Sequence, residues 1–388
     1  MANGKLPEEL HMEILCRLPV KSLLRSKSVC KNWYSLIRNP AFISLRSKHS
    51  AENTDCLLVK RSLNGGACLS FVPNETTVED IDISFTGLES LDIRDLQLLG
   101  PCNGVVCLAK GWFNSTMVIC NPSMREFRVL PRPSHKKDHE NNMGFGFDPS
   151  TNDYKVVKFG VLDRNSNNLL LEVGKTFEIY DLSTDSWRKV DVNPHNIGFD
   201  LDFNFLKCTS WKGGCYWYIS CSDGADAIIV FRLTDEVFDE IPVPEVSLAN
   251  SYTTERELFI LDDSLAMVRY PSEWLHPSGL TRGYIPLMKC FGVWVMDEDG
   301  VEVSWTKKLT IGPLQGPNFA LGFRRNGEFL CETGGGQMVS YHIDTQHIKE
   351  YQVYGDPTPE RLQVIVYTES LISVKSNNKH DAHDGLNM

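Results

Sequence analysis

One arrangement recurs along this chain and restricts the folds open to it: an apolar strand, a polar turn, then an aromatic or large apolar residue opening the return strand. It stands at Met117-Val118-Ile119-Cys120, turning through Asn121-Pro122-Ser123 to Phe127, and at Phe177-Glu178-Ile179-Tyr180, turning through residues 181–186 to Trp187. Further copies run from Ile228-Ile229-Val230-Phe231 to Phe238 and from Val339-Ser340-Tyr341 to Ile348. A copy with a longer turn runs from Val293-Trp294-Val295-Met296 through Asp297-Glu298-Asp299-Gly300 to Trp305. With turns starting at Asn121, Asp181, Arg232, Asp297 and His342, the spacings are 60, 51, 65 and 45 residues. A repeat of about 50 residues is the length of a four-stranded propeller blade. One hairpin cannot hide its own apolar face, whereas stacked repeats bury a continuous core.

Each hairpin is preceded by another strand, often opened by glycine: Gly104-Val105-Val106-Cys107, Gly213-Gly214-Cys215-Tyr216-Trp217 and Gly327-Glu328-Phe329-Leu330. The extra hairpin from Phe147 to Tyr154 is expected to supply the outer pair of the second blade. Five blades follow, with strands left over at both ends of the domain. Leu57-Leu58-Val59 and Cys68-Leu69-Ser70-Phe71-Val72 are expected to pair with residues 362–367 and 371–374, closing a sixth blade and removing exposed sheet edges. The expected fold is therefore a small all-α module over residues 1–50, then a large all-β, kelch-like propeller of six blades over residues 55–375. An irregular β-sandwich or barrel is the alternative. Residues 376–388 are polar and expected to be a disordered tail.

Before residue 50 the apolar period is helical. Pro7 suits a first helical position, and Glu8 and Glu9 complement the positive end of the helix dipole. Leu10, Ile14, Leu15 and Leu18 share a face before Pro19 stops the run. A second short helix carries Leu23 and Leu24, and a third places Val29, Cys30, Trp33, Leu36 and Ile37 on one stripe before Asn39-Pro40. Residues 50–54 read as a polar break. Some forty residues bury too little apolar surface to fold easily alone, so this side must lean on the following domain or on another protein.

The order Leu6-Pro7, Glu13-Ile14-Leu15, Arg17-Leu18-Pro19-Val20-Lys21-Ser22-Leu23, Val29-Cys30-Lys31 and Trp33 resembles an F-box over the motif's whole length. The resemblance implies binding to a Skp-type adaptor, and through it to a cullin and a RING subunit. The implied adaptor contacts are Leu6, Pro7, Leu10, Ile14, Leu15, Leu18, Pro19, Leu23, Leu24, Val29, Cys30, Trp33, Leu36 and Ile37. The body is similar to plant F-box-associated domains at Gly100-Pro101-Cys102-Asn103-Gly104, at Phe127-Arg128-Val129-Leu130-Pro131 and at Gly144-Phe145-Gly146-Phe147-Asp148. Trp294-Val295-Met296, Ser304-Trp305-Thr306 and Leu371-Ile372-Ser373-Val374 extend the likeness. Within that family the chain resembles the S-locus F-box group of flowering plants. This implies a non-catalytic ubiquitin-ligase subunit in the pollen tube that receives non-self style ribonucleases for ubiquitination. Other plant degradation targets are the alternative, as is a different class altogether, a propeller scaffold, lectin or enzyme.

Charge is unevenly shared. The whole chain carries −11, but residues 1–50 carry +6, leaving −17 for the rest. An acidic body is a poor nucleic-acid binder, because phosphate contacts need clustered cations. It suits a basic protein partner instead, and style ribonucleases are generally basic; the alternative is that the acidity only keeps a large domain soluble. Asp181, Asp185, Asp235, Glu236, Asp297, Glu298 and Asp299 all fall in hairpin turns. If the hairpins are equivalent, these acids gather on one face and form a candidate landing surface for the substrate. Turns also favour Asp for local backbone reasons, and both readings stand.

No phosphate-cradling glycine loop, zinc-binding His-Glu-x-x-His or Gly-x-Ser-x-Gly elbow occurs, so no catalytic residue, metal or cofactor is assigned. The His135/His139, His342/His347 and His380/His383 pairs sit in polar turns or the tail and read as surface histidines. No run of eighteen apolar residues or secretory leader is found, so a cytoplasmic or nuclear protein with free thiols is expected.

Overall fold

The computed structural model describes residues 7–53, 56–63, 66–83, 96–110, 116–133, 138–162, 175–190, 207–220, 226–244, 254–271, 288–298, 303–355 and 361–375. Four helices come first: α1 (Glu8–Cys16), α2 (Val20–Ser26), α3 (Lys31–Ile37) and α4 (Pro40–Asn53). The fourth corrects the sequence reading, for the polar stretch after Ser50 continues α4 as far as Asn53. Its weak apolar period hides it, yet its start is well marked. Pro40 occupies a first position where no amide is needed, and the Ala41 amide donates to Asn39 Oδ1 at 2.9 Å.

Twenty-four strands follow among the described residues. β1 (Cys56–Leu63), β2 (Gly66–Val72) and β3 (Glu79–Ile81) open the propeller. The second blade is β4 (Leu96–Cys102), β5 (Val105–Lys110), β6 (Met117–Asn121) and β7 (Glu126–Val129). The third is β8 (Asp138–Asp148), β9 (Asp153–Leu162), β10 (Lys175–Asp181) and β11 (Ser186–Lys189). The fourth is β12 (Cys208–Trp211), β13 (Gly214–Ser220), β14 (Asp226–Arg232) and β15 (Val237–Pro242). The fifth is β16 (Thr254–Leu261), β17 (Ser264–Pro271), β18 (Lys289–Glu298) and β19 (Val303–Leu314). The sixth is β20 (Pro317–Phe323), β21 (Phe329–Thr333), β22 (Gln337–His342) and β23 (His347–Tyr354). β24 (Gln363–Tyr367) is the last.

These strands make six antiparallel sheets of four, and the first sheet has the order β24-β1-β2-β3. The end of the chain thus pairs with its beginning, Leu58 opposite Ile365 and Lys60 opposite Gln363, which closes the ring as the sequence led one to expect. Two expectations fail. Residues 371–374 form no strand; they leave the sheet after β24 and pass over the second blade. The hairpin from Phe147 to Tyr154 is the β8–β9 turn, and β8 is an inner strand, since β4, β8, β12, β16, β20 and β24 neighbour one another around the axis. The recurring hairpin with its aromatic return is the outer pair, and the extra one is the inner.

The apolar core lies between blades. Trp217 and Ile229 of the fourth blade pack with Phe159 and Phe177 of the third, and Phe259 and Phe291 of the fifth with Phe323 and Phe329 of the sixth. Indole N–H groups add ties across the same seams: Trp217 Nε1 donates to Met143 O at 3.2 Å, and Trp305 Nε1 to Pro242 O at 2.7 Å.

The strand order gives the propeller two unlike ends. At one end lie the turns from first to second and from third to fourth strand. Several are two-residue hairpins with both central residues left-handed, including Asn103-Gly104, Lys212-Gly213 and Asp262-Asp263, the type I′ geometry that suits the strand twist. The outer turns place Arg125, Asp185, Glu236 and Gln346 in the left-handed region one residue before the last strand. At the other end, β19 passes to β20 through residues 315–316 and β21 to β22 through residues 334–336, while residues 84–95, 163–174, 191–206 and 272–287 lie outside the described residues. The helical module sits at the tight-turn end, where α2 packs on the 3-10 turn Pro122–Met124.

Candidate functional site

The helical module divides the residues assigned to adaptor contact into two sets. Leu15, Leu23, Leu36 and Ile37 are buried together with Cys16, Val20, Phe42 and the distant Leu371. These side chains build the module and offer no surface to a partner, a correction to their assignment as contacts. Leu18, Leu24 and Trp33 are half-buried against that core. Pro7, Leu10, Ile14, Pro19, Val29 and Cys30 are exposed, with Ile14 at 54% and Val29 at 64%. Leu6 lies outside the described residues. Leu10 and Ile14 stand one turn apart on α1 and so share a face. Cys30 caps α3, its Sγ accepting from the Trp33 amide at 3.5 Å, and the Trp33 ring meets His11 edge-on. The sequence reading missed Tyr34 and Leu45, both exposed. For Tyr34 the signal available was a large aromatic residue on the third helix beside Trp33; Leu45 lies on α4, which the sequence reading did not assign. Exposed apolar side chains on adjoining short helices, over a core too small to need them, form a surface suited to a second protein.

The acidic turn residues do share one end of the propeller, and it is the end that carries the helical module. Most are engaged within the chain. Asp181 Oδ2 accepts from Arg188 Nε at 2.8 Å. Asp185 accepts from the Tyr180 hydroxyl at 2.6 Å and pairs with Arg128 at 3.0 Å. Asp235 pairs with Arg232 at 3.2 Å, and Asp297 accepts from Thr306 Oγ1 at 2.6 Å. Glu236 pairs with Arg188 and, at 3.1 Å, with Lys155. Those two cations hold the Glu236 carboxyl below its ordinary range, the Arg188 hydrogen bond contributing most and outweighing burial. Glu298 ends β18, and Asp299 lies outside the described residues.

Lys155 is the hub of this end. Its ammonium lies 2.8 Å from Asp148 Oδ2, with both side chains almost fully buried, and donates to Leu233 O at 3.1 Å in the next blade. Burial alone would raise the Asp148 carboxyl, yet hydrogen bonds from Lys155, Ser150 and Thr151 hold it well below the usual range. The arrangement fixes two blades together and leaves these acids few free lone pairs for a partner.

Among the described residues no group of three or more His, Cys, Asp or Glu is placed to hold a metal ion, and no helix is long and apolar enough to cross a membrane. The described cysteines are free; Cys102, Cys107, Cys120, Cys215 and Cys331 have thiols raised chiefly by burial or, for Cys215, by a hydrogen bond with Cys208. Their burial suits packing and disfavours the thiolate form.

Residues 4–45 match the F-box domain and residues 71–374 the F-box associated beta propeller domain. The chain belongs to the F-box proteins that carry this propeller. The propeller observed here begins earlier than that match, at Cys56. An F-box/kelch-repeat protein of Arabidopsis thaliana is 29% identical over 263 residues, covering 65% of this chain and 64% of the relative. A second Arabidopsis F-box/kelch-repeat protein is 27% identical over 61% of this chain and 58% of its own length. The chain thus spans less than two thirds of these relatives. Of solved structures, a lectin from Aleuria aurantia aligns with 77% of this chain and 91% of its own, at 9% identity and a TM-score of 0.43, a likeness too distant to speak to function.

Proposed function

We propose that this protein is the substrate-receiving subunit of a Skp–cullin–F-box ubiquitin ligase, in which the F-box holds the adaptor and the far end of the propeller receives a basic protein. The observation that carries this reading is the opposition of the two ends. The F-box covers the tight-turn end, most of whose acidic turn residues are engaged in internal pairs. Besides the described connections at residues 315–316 and 334–336, the stretches of sequence between strand ends on that side are residues 64–65, 84–95, 111–115, 134–137, 163–174, 191–206, 221–225, 245–253, 272–287 and 356–360, which lie outside the described residues. Together they hold thirteen Asp or Glu and five Lys or Arg. An acidic end facing away from the adaptor is complementary to a basic substrate. The subunit performs no bond chemistry of its own. It contributes proximity, raising the concentration of substrate lysines near the ubiquitin thioester. The likeness to the S-locus group supports a narrower reading, in which the substrate is a non-self style ribonuclease met in the cytoplasm of the pollen tube.

A pull-down of the purified protein–adaptor complex against style ribonucleases from different haplotypes tests both levels. Retention of some allelic forms and not others is the expected result. If the adaptor binds and every ribonuclease flows through, the pollen role is lost and the ligase role stands. If the adaptor itself does not bind, the ligase role is lost as well.

A further inference from the structure

The buried centre of the F-box is completed from the opposite end of the sequence. Leu371, 4% exposed, packs among Leu15, Val20, Leu23, Leu36, Ile37 and Phe42. Two residues earlier, Glu369 meets both α2 and α4. Its Oε2 accepts from the Val20 amide at 3.0 Å, where α2 starts without a cap from its own side chains. The same carboxylate pairs with Arg46 of α4 at 3.4 Å. Arg46 is 3% exposed, and its guanidinium also donates to Glu369 O at 3.2 Å and to Leu18 O at 3.0 Å. Burial disfavours the Arg46 charge, and Glu369 is the chief group that restores it.

The segment that supplies these contacts is pinned to the propeller just as firmly. Asn121 Nδ2 donates to Ser370 O at 3.1 Å and to Ile372 O at 2.8 Å. The Tyr367 hydroxyl donates to Gly104 O at 3.0 Å, and the Val374 amide to Glu126 Oε2 at 3.1 Å. Gly104 is itself required by this passage, for a Cβ there would stand 2.5 Å from Thr368 O. The segment begins where β24 ends, so its path is set by the strand that closes the ring.

We propose that Glu369 and Leu371, with Arg46, are positioning residues for adaptor binding: the F-box helices reach their adaptor-ready arrangement only when residues 368–374 have docked on a closed propeller. The F-box of this chain is then not self-sufficient, and a chain that has not completed its substrate-binding ring presents a poor adaptor surface. Without Leu371 the helical core loses an apolar neighbour, and without Glu369 a buried guanidinium loses a charge partner, a costly change when one partner of a buried pair is removed. Apparent affinity falls in proportion to the fraction of molecules in the competent arrangement. This inference rests on the ligase reading above.

The test uses the full chain and a purified Skp-type adaptor in calorimetric titrations of wild type, Glu369→Ala, Glu369→Gln and Leu371→Asp. Glu369→Ala and Leu371→Asp are expected to weaken binding on the order of tenfold or more at unchanged stoichiometry. Glu369→Gln, which keeps an acceptor for the Val20 amide and Arg46 but not the charge, is expected to recover only part of the loss. Amide exchange should quicken in α2 and α4 and stay unchanged in the third to fifth blades. Wild-type affinity in both Glu369→Ala and Leu371→Asp overturns the proposal. If Leu371→Asp does not fold, the Glu369 pair of variants decides alone. A wild-type protein that fails to bind adaptor overturns the ligase reading instead, so the two failures are told apart.

Discussion

The two ends of this propeller solve different problems with the same strands. At the F-box end the chain turns in two to six residues, uses left-handed positions at Asn103, Asp185 and Glu236, and spends its acids on Lys155, Arg188 and Arg128. On the far side the sequence between strands carries the acid-rich stretches, although β19–β20 and β21–β22 join there through only residues 315–316 and 334–336. Loop length is thermodynamically cheap, since each doubling costs only about 0.6 kcal/mol. Variation and recognition can therefore collect at the far end without endangering the ring, while the near end bears the stability and mounts the F-box.

The strongest way to break this contrast is to damage the near end. Lys155→Ala leaves Asp148 buried beside no cation, and removing one partner of a buried pair costs about 3–5 kcal/mol. Denaturant unfolding followed by far-ultraviolet dichroism should show a loss of that size. A change below about 1 kcal/mol would mean that the two ends do not differ as argued.

Within the F-box the same logic separates builder from contact. Leu15→Ala is expected to cost about 2–5 kcal/mol of F-box stability, because Leu15 is 1% exposed. Ile14→Asp should alter stability by no more than about 0.5 kcal/mol and still abolish adaptor capture. Thermal melts and adaptor pull-downs on the two variants check this, and equal effects on both would dissolve the distinction.

Acid probes the near end more gently. Asp148, Glu236 and Glu328 are all held below their ordinary values in the fold, Glu328 because hydrogen bonding and charge from Lys349 and the charge of Arg324 outweigh the effect of burial. A carboxyl depressed on folding contributes its full stability above its unfolded value, about pH 4, and loses it as pH falls towards the folded value. Melting temperature should stay level from pH 7 to about 5 and decline below about 4, with Lys155→Ala flattening the decline. A melting temperature that rises on acidification would contradict the sign.

Most of the ring was legible in the sequence because its signals are local and repeated. An aromatic residue such as Trp187 or Trp305 opening the last strand needs only its own turn to be recognised, and the leftover strand Leu57-Leu58-Val59 pointed to closure. What stayed hidden depends on contacts between distant residues. Residues 371–374 carry the apolar alternation of a strand, but Leu371 is claimed by a core some 330 positions earlier. The inner place of the β8–β9 hairpin follows from the ring and not from its own turn. Asp181 and Asp235 find Arg188 and Arg232 within their own hairpins, but Asp185 and Glu236 looked available because their partners, Arg128, Lys155 and Arg188, are identifiable only once blades are side by side. Leu15 and Ile14 are adjacent in sequence and apolar alike, and only the packing assigns one to the core and the other to the surface.

The smallest effect on stability and the largest on recognition should come from the far end. Replacing residues 163–174, which join β9 to β10, by a Gly/Ser segment of equal length removes Asp163, Arg164 and Glu172 together with Leu169, Leu170 and Leu171. Both strands stay paired from Lys175 opposite Val161 onward, so ladder and inter-blade core are retained and the change in unfolding free energy should be below about 1 kcal/mol. Adaptor binding, at the other end, should be unaltered. Capture of the basic substrate by the protein–adaptor complex should drop, and more steeply at low salt, where acidic steering contributes most. If substrate capture survives this replacement and the same exchange at residues 191–206 and 272–287, recognition does not reside in these segments, and the near end regains its claim as the landing surface.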